Sequence, residues 1–186
     1  IILSIFSNDG AGTVAEFRIV EVIPQFVIML GGTFSGIFLP KAAEMVAKHD
    51  QKAIEDFAYK WTSYTTIIVN LLVFPFIIGG RDALSAYVGP QYGDLAIWLY
   101  LWLFCVLLQM HTTPGNALVL SYGKTRLLVI TTAVACVLSI VINALLSKRY
   151  GVGSAVIGYT IYIVILSALY YISFYKKLLH LSNFRL

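Results

Sequence analysis

Arg18, Glu21 and Gln25 stand three and four residues apart in the otherwise apolar run "FRIVEVIPQFVIML". At about 100 degrees per residue they fall within about 60 degrees of one another on a helix, and Gly32 and Gly36 continue the stripe. A guanidinium, a carboxylate and an amide on one face can bind an anion, accept or donate hydrogen bonds to hydroxyls, and carry a titratable proton. A plainer alternative has Arg18 and Glu21 snorkelling at an interface and neutralising each other. Gln25, the deeper group, does not fit that alternative.

Further polar groups recur in the apolar stretches. Thr66 and Asn70 lie four apart, Gln109 precedes "HTTPGN", and Thr132, Ser139 and Asn143 share a helical face. Arg18, Glu21, Gln25, Asn70 and Gln109 are the candidate cavity residues. "GTFSG" from Gly32 to Gly36 is a small-xxx-small pattern, and Gly32 and Gly36 are expected to pack two helices closely. Pro24, Pro75 and Pro114 are expected to interrupt or end three helices, freeing carbonyls toward a cavity.

Motifs for catalysis and cofactors fail on spacing. "GKT" at Gly123 to Thr125 would need a glycine five residues earlier to close a phosphate-binding loop, and that position is Leu118. Cys105 and Cys136 lack metal-ligand spacing and read as small apolar residues. His49, His111 and His180 are scattered, with no nucleophile elbow or acid/base dyad. The expectation is a protein that is not an enzyme, with no cofactor and no metal.

The elements that must position these residues follow from composition. Hydrophobic residues make up 59% of the chain and charged residues 12%, with a mean hydropathy of +0.84. A chain this apolar is expected to be an all-α integral membrane protein, because only helices and closed barrels satisfy their backbones in lipid. Five full spans are expected at about 19–39, 61–79, 95–113, 127–147 and 152–175. Residues 1–6 then end a sixth span, and the sequence is expected to be a fragment.

Lys41, Lys48, Lys52, Lys60, Lys124, Arg126, Lys176, Lys177 and Arg185 fall on one side of these spans, against Arg81, Lys148 and Arg149 on the other. Basic residues are retained in the cytoplasm, so residues 40–60 and the carboxyl terminus are expected inside and the loop around Gly89 outside. Aromatic clusters at Tyr59, Trp61 and Tyr64, at Tyr87, Tyr92 and Trp98, and at Tyr170, Tyr171 and Tyr175 are expected to mark interfaces. The basic balance thus reports orientation and gives no reason to expect nucleic acid. Residues 40–60 are expected to form an amphipathic connector of one or two helices on the inner surface.

The stretch "ALVLSYGKTRLLVITTAVACVLSIVINALLSKRYGVGSAVIGYTIYIVI" resembles the carboxyl-terminal half of polysaccharide-biosynthesis transporters. These are the lipid-linked oligosaccharide flippases of the multidrug/oligosaccharidyl-lipid/polysaccharide exporter superfamily. The residues that carry the likeness are Gly123 and Lys124 in a cytoplasmic turn, Asn143 in a helix, and Tyr150 and Gly151 before "VGSA", with the external loop "AYVGPQYGDLAIWL". Ser154 stands where the family more often has Ala.

The resemblance implies the carboxyl-terminal lobe of a two-lobed transporter around a central cavity, and polysaccharide export (O-antigen or exopolysaccharide) across the inner membrane of a prokaryote. It implies undecaprenyl-diphosphate-linked oligosaccharide as cargo, membrane lipid as surroundings and H+ or Na+ as coupling ion. Arg18 would then meet the diphosphate or an anionic sugar, Gln25, Asn70 and Gln109 the hydroxyls, and Glu21 a coupling proton. A multidrug antiporter of the same superfamily would share the fold. A membrane glycan polymerase or acyltransferase would need larger loops than these.

Overall fold

The computed structural model describes residues 2–178, and these are helical throughout apart from short turns. In chain order come α1 (Ile2–Phe6), α2 (Gly10–Ala47), α3 (Gln51–Val88), a 3-10 turn (Pro90–Leu95), α4 (Ala96–His111), α5 (Thr113–Ser121), α6 (Thr125–Tyr150) and α7 (Val152–Leu169). A π-helical turn, Tyr170–Leu178, continues α7. Five stretches are long and apolar enough to cross a membrane: α2, α3, the run from Pro90 to Ser121, α6, and the run from Val152 to Lys176. The chain is an all-α multi-pass membrane protein.

The helices overrun the expected spans. At about 1.5 Å per residue, the 38 residues of α2 extend about 57 Å, well past a hydrocarbon core of about 30 Å. The connector expected at 40–60 is helical on both sides of its turn and continuous with the long helices. Its residues are the last turns of α2 and the first turns of α3, joined at Lys48 to Asp50, where His49 takes a positive φ of 53°. Local chemistry sets both starts: the Asp9 carboxylate accepts from the Gly12 amide at 3.1 Å and that of Asp50 from the Ala53 amide at 3.0 Å. Past the end of the expected span at residue 39, Lys48 and Lys41 donate to Glu44 at 2.6 and 3.0 Å, and these hydrogen bonds bring its carboxyl down to about 2. The amphipathic pattern remains: Ile54, Phe57 and Ala58 are buried against Phe38, Ala42 and Met45.

Prolines act less uniformly than expected. α2 runs unbroken through Pro24 and Pro40, α3 passes Pro75 and kinks at Gly79, and Pro114 opens α5 after a break at Thr112. Pro40 has no N–H, so the Gly36 carbonyl lacks its usual partner four residues on.

α2 buries one narrow face. Thr13, Val20, Pro24, Val27, Gly31, Phe38, Ala42 and Met45 are buried and repeat at sevens, fours and threes, within about 60 degrees on the helix wheel. That face meets α3, α4 and α5. Between apolar helices in lipid there is little hydrophobic drive, so close backbone approach matters. A Cβ on Gly31 would collide with the Met110 sulfur, and one on Gly158 of α7 would sit 2.8 Å from the Ser139 carbonyl oxygen of α6. The packing glycine of α2 is thus Gly31. Gly32 and Gly36, expected to form the close seam, have no atom within 4 Å of where a Cβ would stand. The reason is rotation: they lie about 100 degrees or more around the wheel from the buried face.

The turn "YGVGSA" is explained by its geometry. Gly151 adopts φ 50°, ψ −121°, which side chains disfavour, and Gly153 leaves room for the Trp98 ring. Ser154 Oγ lies 2.8 Å from Asn143 Oδ1 and 2.7 Å from the Gly151 carbonyl, tying α7 to α6. Asn143 therefore serves the helix pair.

Candidate functional site

The five candidate cavity residues do not converge. They fall in three separate depressions, set by which helix face each occupies.

Arg18, Glu21 and Gln25 stay together on α2, with Val22, Phe26 and Met29, around an open groove of about 500 Å³. The Arg18 guanidinium donates to Glu21 at 2.5 Å, with the two side chains 72% and 22% exposed. Gln25 is exposed one turn deeper, and Gly32 and Gly36 are exposed beyond it. The stripe centres about 120 degrees from the buried face of α2. It is a polar, partly bare helix surface that the rest of the described chain leaves uncovered.

Gln109 belongs to a crevice of about 330 Å³ bounded by α2, α4, α5, α6 and α7, which also includes Gly32, Thr112, Asn116, Thr132 and Ser167. Tyr159 of α7 donates to the Gln109 side-chain oxygen at 2.5 Å, and Tyr170 donates to Asn116 Oδ1 at 2.7 Å. Two tyrosine hydroxyls thus hold the last helix against the α4–α5 break. The crevice lining contains amides, hydroxyls and phenols and no ionised side chain. That chemistry suits neutral hydroxylated ligands better than ions.

Asn70 sits elsewhere. Its Nδ2 donates to the Thr66 carbonyl at 2.8 Å, and both residues line a shallow apolar depression on α3 with Ile67, Leu71, Phe74 and Pro75. Thr66 Oγ1 lies 2.8 Å from His111 Nδ1, and the His111 ring stacks on Tyr171 with centroids 6.0 Å apart. The Asn70 amide nitrogen is therefore engaged by its own helix.

Sequence reading missed the tyrosines. Tyr170 and Tyr175 were expected at a membrane interface, but both are buried, against a cluster that includes Phe38 and Phe57. Their spacing near Lys176 imitates an aromatic belt; only the position of α5 shows that they face protein. Asn116 was visible within "HTTPGN" as a polar group at a helix break. Cys105 is buried and donates to Thr160 Oγ1 at 3.2 Å, while Cys136 is exposed on α6. His180 and Arg185 lie outside the described residues. No protein-family model, curated protein or solved structure matches the chain.

Proposed function

We propose that the chain forms one lobe of a polysaccharide-biosynthesis transporter of a prokaryotic inner membrane. The transporter carries undecaprenyl-diphosphate-linked oligosaccharide from the inner to the outer leaflet by alternating access. The supporting observation is the uncovered stripe of α2. A helix apolar enough to span the membrane presents Arg18, Gln25, Gly32 and Gly36 on an exposed face, with Glu21 half-buried beside Arg18 and Gly32 also bordering the Gln109 crevice. A charge at mid-membrane costs about 2.5–3.5 kcal/mol on insertion scales, so such faces border protein or water in place of lipid. In this reading the stripe borders a central aqueous cavity shared with a second helical lobe.

Each group then has a role. Arg18 attracts the diphosphate and Glu21 holds it in orientation, releasing it when protonated or when a coupling cation arrives. Gln25 and the Gly36 carbonyl, which lacks its usual i+4 donor at Pro40, offer hydrogen bonds to sugar hydroxyls along the same face. The resemblance of the turns at Gly123 and Gly151 agrees with this assignment.

The test is glycan display on cells at matched membrane levels of the transporter. Arg18→Ala is expected to abolish most display, Arg18→Lys to retain part because a point charge cannot offer the planar guanidinium fork, and Glu21→Gln to alter dependence on the ion gradient. Normal display in Arg18→Ala, or full recovery in the Arg18→Ala, Glu21→Gln double variant, would remove the pair from the transport route.

A further inference from the structure

A further depression lies away from the α2 stripe, between the start of α6 and the π-helical turn. It holds about 720 Å³ and is lined by Gly123, Lys124, Arg126, Leu127, Ile130 and Phe174, with the Ser173 hydroxyl beside them. We propose that this groove binds one anionic phospholipid, its phosphate at Lys124 and Arg126 and an acyl chain along Leu127 and Ile130.

Charge supports this occupant. Lys124 and Arg126 are exposed and, like Lys52, Lys148, Arg149 and Lys176, make no ion pair with any described residue, but they alone line this groove, so no carboxylate competes for a bound phosphate there. They lie at the end of the bundle that carries most of the basic residues, where an anionic leaflet surface adds to the attraction.

The shape of the wall supports a lipid over a free anion. Leu127, Ile130, Val134, Val137 and Val141 are all exposed, and their spacing puts them within about 80 degrees on one side of α6. This strip starts at the two cations and runs toward the other end of the helix. α6 is also the least covered of the five long helices, so the described chain leaves the strip open to a long apolar tail. A ligand matching it has an anionic head and a long apolar tail, with Ser173 available to donate to a phosphate oxygen. The "GKT" turn, which lacks a nucleotide loop, thereby acquires a phosphate-facing role through its lysine. This assignment does not depend on the transport reading.

The test is a titration of the full chain in neutral detergent with dioctanoyl phosphatidylglycerol, dioctanoyl phosphatidylcholine and glycerol phosphate. Saturable binding of the phosphatidylglycerol is expected, at least tenfold tighter than the phosphatidylcholine, with glycerol phosphate not competing. A basic side chain at such a surface supports about fivefold in affinity, so Lys124→Gln and Arg126→Gln should each weaken binding about fivefold and together about thirtyfold. Arg81→Gln, at the opposite end, should leave it unchanged, and unaltered thermal unfolding of each variant would show that folding is intact. Equal affinity for the two lipids, competition by glycerol phosphate, or retained selectivity in the double variant would overturn the assignment. So would selectivity that appears only after residues 179–186 are removed, since the tail would then be the occupant.

Discussion

Three glycines in near-identical helical settings test how the bundle is rotated. Gly158 faces the α6 backbone, where an added Cβ would lie 2.8 Å from the Ser139 carbonyl oxygen and 3.1 Å from its hydroxyl. Gly32 faces open space. Alanine at either position gains a similar helix-propensity term of about 0.8–1 kcal/mol, which cancels when the two variants are compared. What remains is overpacking against a backbone that cannot rotate away, about 1–3 kcal/mol. For a chain of this length 1 kcal/mol moves the midpoint by about 2–4 °C. Gly158→Ala should therefore melt about 2–12 °C below Gly32→Ala, with Gly32→Ala at or slightly above the parent. Gly31→Ala should fall between them, because it meets the Met110 sulfur near the end of a flexible side chain. Thermal unfolding in lipid nanodiscs, followed by circular dichroism, measures all three. Equal midpoints for Gly32→Ala and Gly158→Ala would refute the assignment of open and packed faces.

Orientation can be read with single cysteines in a background lacking Cys105 and Cys136: a cysteine at Gly89 should label from outside intact cells, and one at Lys48 only after permeabilisation. The reverse pattern would invert the bundle. The crevice hydrogen bonds should separate from the orphan phenol beside them. Tyr159→Phe and Tyr170→Phe, which strand Gln109 and Asn116, should each lower stability by about 1 kcal/mol, whereas Tyr175→Phe should be neutral or stabilising, since the Tyr175 hydroxyl is buried with no hydrogen-bond partner among the described residues. Equal losses in all three would show that the hydroxyl network is not what holds α7.

The number and order of the long helices were legible because hydropathy alone sets them. Their ends were not, since helices that leave the bilayer continue on capping and ion pairs: Asp9, Asp50 and the Lys41–Glu44–Lys48 set extend α2 and α3 beyond any apolar window. The stripe of Arg18, Glu21 and Gln25 was legible as a stripe, and the side chains remain together. The wheel could not distinguish a face covered by protein from one left open. It consequently assigned Gly32 and Gly36 to packing when Gly31, in register with Val20, Val27 and Phe38, does that work. Grouping Asn70 and Gln109 with Arg18 failed because they lie on different helices whose rotation the sequence leaves undetermined; the structure turns Asn70 onto Thr66 and Gln109 onto Tyr159. Lipid and protein bury aromatic side chains equally well, which is why Tyr170 and Tyr175 read as interface residues.

If the chain is one lobe of a transporter, the open face of α2 borders water. Single cysteines at Gln25 and Gly36, compared with one at Val137 on the exposed apolar strip of α6, measure this directly through their rates of reaction with a charged thiol reagent in membranes containing the complete protein. Reaction at Gln25 and Gly36 is expected to be at least tenfold faster than at Val137, and slowed by added lipid-linked oligosaccharide. Rates as slow as that of Val137 at both positions would place the stripe against lipid or protein and contradict the account.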